Sequence, residues 1–87
     1  MLGYTSHQFP ALTLVGRGKQ KYRVITTVIE AAETLMTDWP DDDGEEYVAA
    51  VYACLRCLYD EIPPDSVRTA LMRAADEVRI SYISVVS

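Results

Sequence analysis

The stretch Glu45–Tyr59, EEYVAAVYACLRCLY, decides how the chain is read, because in the thirteen residues from Tyr47 onward Arg56 is the only charge. At 100° per residue, Tyr47, Val51, Cys54, Leu55 and Leu58 share one wide apolar face, and Ala49, Ala53, Arg56 and Asp60 lie opposite. A helix this apolar is expected to be covered on most sides. The segment therefore reads as a nearly enclosed rod at the hub of a small core, with both its sulfur atoms kept from water.

On its N-terminal side, Asp41-Asp42-Asp43-Gly44 makes a turn whose acids suit the positive end of the helix dipole. Before that turn, Thr27-Val28-Ile29-Glu30 fits a capping box, in which threonine hydroxyl and glutamate carboxylate each take a backbone amide of the other residue. A helix should begin there, with Val28, Ala31, Ala32, Leu35 and Trp39 as its buried stripe. Pro40 should end it, since proline disfavours α geometry in the residue before it. Trp39 is expected to plug the corner of the core. Further back, Ala11–Val15 and Gln20–Ile25 are two β-type runs joined by Gly16-Arg17-Gly18, a hairpin signal. In the second run Tyr22 and Val24 are read on one side, with Lys19, Lys21 and Arg23 on the other. Residues 1–8 show no period and are read as a loose leader, leaving 9–87 as one domain.

On the C-terminal side, Pro63-Pro64 stops the hub helix, and the second proline suits the first position of another, with Asp65 in its first turn. Val67, Ala70, Leu71, Ala74, Ala75 and Val78 form its apolar stripe; Arg68, Arg73, Asp76 and Glu77 form its wet side. The small residues at 70, 74 and 75 permit close approach to the hub. Ile80–Val86 is β-branched and aromatic enough for a last strand. The fold class is then α+β: an N-terminal hairpin, three helices and a C-terminal strand (ββαααβ), with a three-stranded sheet packed against helices.

Eighty-seven residues make one domain that buries about 60–65% of its unfolded surface. Thirteen acids against eight bases give a net charge of −5, which disfavours a polyanionic partner unless the positive charge is concentrated. It is concentrated in part: Arg17, Lys19, Lys21 and Arg23 form a basic strip, and Asp41, Asp42 and Asp43 sit in an acidic one. These seven residues are the candidate partner-binding positions. Nucleic acid is disfavoured because Tyr22 alternates away from the basic face, which leaves no aromatic there for bases to stack on. No apolar run approaches the length of a membrane span, and the N-terminus lacks a signal core, so a cytoplasmic protein is expected. Two cysteines are too few for a disulfide framework and are expected to be reduced.

The order of elements, together with Phe9-Pro10, Ala31, Leu35, Trp39-Pro40, Gly44, Tyr47, Ala50, Cys54, Ala70, Ala74 and Ala75, resembles a family of short bacterial proteins, domain-of-unknown-function family 982. The similarity spans residues 9–83. The chain departs from the family pattern at Asp60-Glu61, where a glycine-containing turn is common, and at Leu71, where an aromatic is common. The resemblance implies the fold above and no activity.

Cys54-Leu55-Arg56-Cys57 spells CxxC, but redox versions place the first thiol at a helix N-terminus, and here both lie mid-helix. Structural zinc needs two more soft ligands, and the one histidine is His7. With Gly44 as sixth position of a calcium loop, Trp39 and Ala50 would fall where carboxylates are required. No cofactor or metal is expected. The reading is a non-enzymatic module that binds a protein partner or itself, as in a homodimer; its alternative is a small thiol-dependent or acid–base enzyme using Cys54 or Cys57.

Overall fold

A computed structural model of the chain describes residues 7–16 and 22–84. The elements are β1 (Gln8–Val15), β2 (Tyr22–Thr27), α1 (Val28–Thr37), α2 (Glu45–Leu58), α3 (Pro64–Glu77) and β3 (Ser81–Ser84). The three strands form one antiparallel sheet in the order β2-β1-β3, so the fold is the expected α+β arrangement, ββαααβ. Arg17 and Gly18 of the expected turn, the start of the second run and the end of the last strand lie outside the described residues.

Local chemistry accounts for most boundaries. Thr27 caps α1, its Oγ1 accepting from Glu30 N at 3.1 Å, while the Glu30 carboxylate accepts from Thr27 N at 3.2 Å. The same carboxylate also takes Thr26 N at 2.8 Å, and these bonds, the Thr26 amide foremost, hold its pKa below the ordinary value. Pro64 opens α3 with Asp65 in the first turn. β1 begins three residues before the expected Ala11, and its pairing with β2 is irregular between Gln8 and Leu12, where Pro10 has no amide to give to a ladder. His7 is tied down: its carbonyl accepts from Val28 N at 3.0 Å, and its Nε2 lies 2.9 Å from Asp60 Oδ1. Asp60, at φ 61, holds the left-handed geometry that glycine would adopt most cheaply and that aspartate tolerates.

Two expectations are corrected. First, the side of β2 that carries Arg23, read as part of a solvated basic strip open to a partner, is the covered one. Ile25 is fully buried, while Tyr22 and Val24 are 64% and 56% exposed; the side that carries Arg23 is the side that meets the helices. Register explains this, since Ile25 and Arg23 pair with Leu12 and Leu14, both buried, and directly paired residues share a face. Second, α2 is not an enclosed hub. Among the largest fully buried side chains, Leu12, Ile25, Leu35, Leu71, Val28, Val67 and Cys57, only Cys57 comes from α2. The central element is α3, which packs against α2, α1, β1 and β3, while α2 packs mainly on α3 and next on α1. Helix α2 buries Ala50, Cys54 and Cys57 and leaves Leu55 half exposed. Arg68, expected on the wet side of α3, instead ties that helix to the sheet: its Nε donates to Pro10 O at 2.9 Å and its Nη2 donates to Ser84 Oγ.

A long-range cap joins α3 to α2. Glu46 N and Tyr47 N donate to Oε2 and Oε1 of Glu77 at 3.1 and 3.2 Å, so a carboxylate at the C-terminal end of α3 satisfies two of the open amides at the start of α2. Gly44 makes room for it, because a Cβ there would collide with the Glu77 carboxylate. Gly44→Ala and Glu77→Ala should therefore each cost about 1 kcal/mol, the worth of a cap, and the double variant little more than either alone. Urea unfolding of the four proteins checks this; full additivity would show that the two residues act separately.

Candidate functional site

Arg17, Lys19 and Lys21 lie outside the described residues. Arg23, the remaining member of the basic strip, is half-buried on the helix side of β2 and pairs with Asp38. Asp41, Asp42 and Asp43 are exposed in the α1–α2 connection. Asp43 N donates to Asp41 Oδ1 at 3.3 Å; a hydrogen bond from the Asp43 carboxyl, and then this amide, hold the Asp41 carboxyl below its ordinary pKa, and sharing that side-chain bond beside the Asp41 charge pushes Asp43 up. The carboxylate that reaches the α2 amides is Glu77, not one of these three.

Both cysteines are free and buried, Cys54 at 2% exposure and Cys57 at none. Burial, reinforced by Cys57, pushes the Cys54 thiol up to about 11, and burial chiefly, with Asp60, raises Cys57. A reactive thiol needs the opposite environment, one that stabilises the thiolate. Among the described residues no group of three or more His, Cys, Asp or Glu side chains could hold a metal ion, and no helix is long and apolar enough to cross a membrane.

What the structure brings together is apolar. Val48, Tyr52, Leu55 and Tyr59 follow one another at four, three and four residues, which puts them on one line along α2. They are 56%, 62%, 50% and 76% exposed. Arg56 borders this stripe, its guanidinium 5.9 Å from the centre of the Tyr52 ring and its Nε 3.2 Å from Glu61 Oε1. The outer face of the sheet is mixed: Thr13 lies between Val24 and Ile83, and Val15 between Tyr22 and Ser81. Neither surface was among the expected partner-binding residues. The spacing of the stripe was present in the sequence, but a helix with so little charge gives no polar side from which to tell outside from inside.

These features define a small α+β domain whose distinctive surface is an uncovered apolar helix face. The model of the family described as protein of unknown function (DUF982) matches residues 11–82, and the chain belongs to that family. No match is found among curated proteins or among solved structures.

Proposed function

We propose that the protein is a non-enzymatic interaction module of the bacterial cytoplasm, and that it works by pairing α2 with α2 of a second copy. The observation that carries this reading is the line of Val48, Tyr52, Leu55 and Tyr59, all half exposed or more. Soluble monomers rarely leave a contiguous apolar strip of this kind uncovered. Its four-three-four spacing reads the same in both directions. About a two-fold axis between antiparallel helices, Val48 of one copy meets Tyr59 of the other and Tyr52 meets Leu55, which is the self-complementarity a symmetric dimer requires. The four side chains alone offer about 500 Å² per copy, toward the roughly 800 Å² per partner of a standard interface. Two free, buried thiols suit a reducing compartment.

Light scattering across a concentration series tests the reading. The mass should rise from the 9.7 kDa of one chain toward twice that value, and 1 M salt should leave it unchanged because the contact is apolar. Pairing through the basic and acidic strips would instead weaken as screening shortens to about 3 Å. Tyr52→Lys with Leu55→Lys should hold the protein at monomer mass with its helical signal intact. A wild type that stays monomeric at every concentration sinks the proposal.

A further inference from the structure

A groove of about 340 Å³ runs along one flank of the α2 stripe, between α2 and α3. Its floor is made of small side chains, Ala49 from α2 with Ser66 and Ala70 from α3, and its rim carries Glu46, Asp65 and Arg73. Ala49 is exposed and ends in a methyl group, so the space beside it stays open where a larger residue would close it. None of Val48, Tyr52, Leu55 and Tyr59 lines the groove.

The stripe nevertheless delivers a side chain to it. At about 100° per residue, Ala49 lies about 100° round from Val48 toward α3, and Tyr52 and Tyr59 are turned from Val48 by about 40° and 20° in the same sense. A two-fold axis across an antiparallel α2 pair keeps the α3 flanks of both copies on one edge of the contact. Tyr59, opposite Val48 of the second copy, therefore reaches that copy at the edge where Ala49 opens the groove. It is the most exposed large apolar side chain among the described residues, and a tyrosine ring is a rigid plate that loses little freedom on docking. The mixed rim suits its polar end, since a phenol hydroxyl can donate to Glu46 or Asp65 and accept from Arg73. The groove walls also add to the area that the stripe alone offers toward a standard interface.

We propose that the groove is a self-recognition socket: Tyr59 of one copy inserts its ring between α2 and α3 of the second, over Ala49, Ser66 and Ala70, and the second copy's Tyr59 does the same in return. The socket rests on the α2 pairing proposed above. It makes that pairing selective for another copy of this chain, because a partner with no tyrosine at this place would leave it empty.

Light scattering on a dilution series reads the dimer dissociation constant, and far-UV circular dichroism reads the fold. Tyr59→Ala and Ala49→Phe should each raise the constant about tenfold or more with the helical signal unchanged, whereas Tyr59→Phe, which keeps the ring, should raise it less than about threefold. Ser66→Leu narrows the groove from α3, away from the α2–α2 line of contact, and should weaken pairing as Ala49→Phe does; it serves if that variant is misfolded. Mixed in equal amounts at a concentration where each alone is monomeric, the Tyr59→Ala and Ala49→Phe proteins should form a heterodimer, because one socket is then native and in the other a phenylalanine fills the space the missing ring leaves. A wild type that pairs while Ala49→Phe and Ser66→Leu pair equally well overturns the socket and leaves α2 pairing standing, and so does a mixture that stays monomeric. A wild type that never pairs removes both.

Discussion

Leu71→Ala should destabilise the protein by about 2–5 kcal/mol, the cost of a cavity at a fully buried leucine, while Leu55→Ala should cost less than about 1 kcal/mol. The two are a matched pair. Both are leucines within fourteen-residue helices, so side-chain chemistry cancels and helix propensity nearly so. They differ in what surrounds them: Leu71 is fully buried and Leu55 is 50% exposed. Leu71 sits on α3, the helix that meets α2, α1 and the sheet, so a void there loosens both helix layers. Against a total stability of about 5–15 kcal/mol for a domain of this kind, the larger loss should halve the urea midpoint or abolish cooperative folding, and the smaller should barely move it. Measured at concentrations where the protein is monomeric, equal losses would restore α2 as the enclosed hub and remove the exposed stripe on which the functional reading rests.

Where a boundary is fixed by chemistry within a few residues, the sequence was enough to find it. The Thr27–Glu30 box and the Pro63-Pro64 start are of this kind, and together with the order of elements they made the ββαααβ fold legible. The facing of elements was not legible where both sides are apolar. In β2 the alternation of Tyr22 and Val24 against Arg23 and Ile25 puts a hydrophobe on each side, and only pairing with Leu12 and Leu14 on β1 decides which side is covered. In α2 the same ambiguity runs round the whole helix, and it is resolved by which side of it α3, the next element in the chain, comes to cover. The Glu77 cap was invisible for a related reason: nothing near Gly44 signals that a carboxylate from α3 needs the space a side chain would fill. Of the candidate site residues, Arg23 illustrates the limit best. Its charge was plain, but whether it faces a partner or an internal carboxylate depended on the parity of the strand.

Stability should fall as pH rises from about 9 to about 11, and Cys54 should carry the largest single part of that fall. Its thiol, ordinarily near 9.0, is pushed up to about 11 in the fold by burial. Between those two values the unfolded chain releases the proton while the folded chain keeps it, so the unfolded state binds fewer protons and rising pH favours it. Below about 9 the thiol is neutral in both states and the contribution is fully present; above about 11 it is spent. A shift of two units corresponds to about 2–3 kcal/mol. Urea unfolding at pH 7, 9, 10 and 11 on wild type and Cys54→Ala measures it. The variant should start lower, because alanine leaves a small void, and should lose less stability across the window. Cys57 and Tyr82 are also raised by burial and stay in both proteins, so the difference in slope belongs to Cys54. Parallel slopes would mean that the Cys54 thiolate is tolerated inside the fold, which is the condition a thiol-dependent enzyme needs, and would bring that alternative forward at the expense of the interaction module.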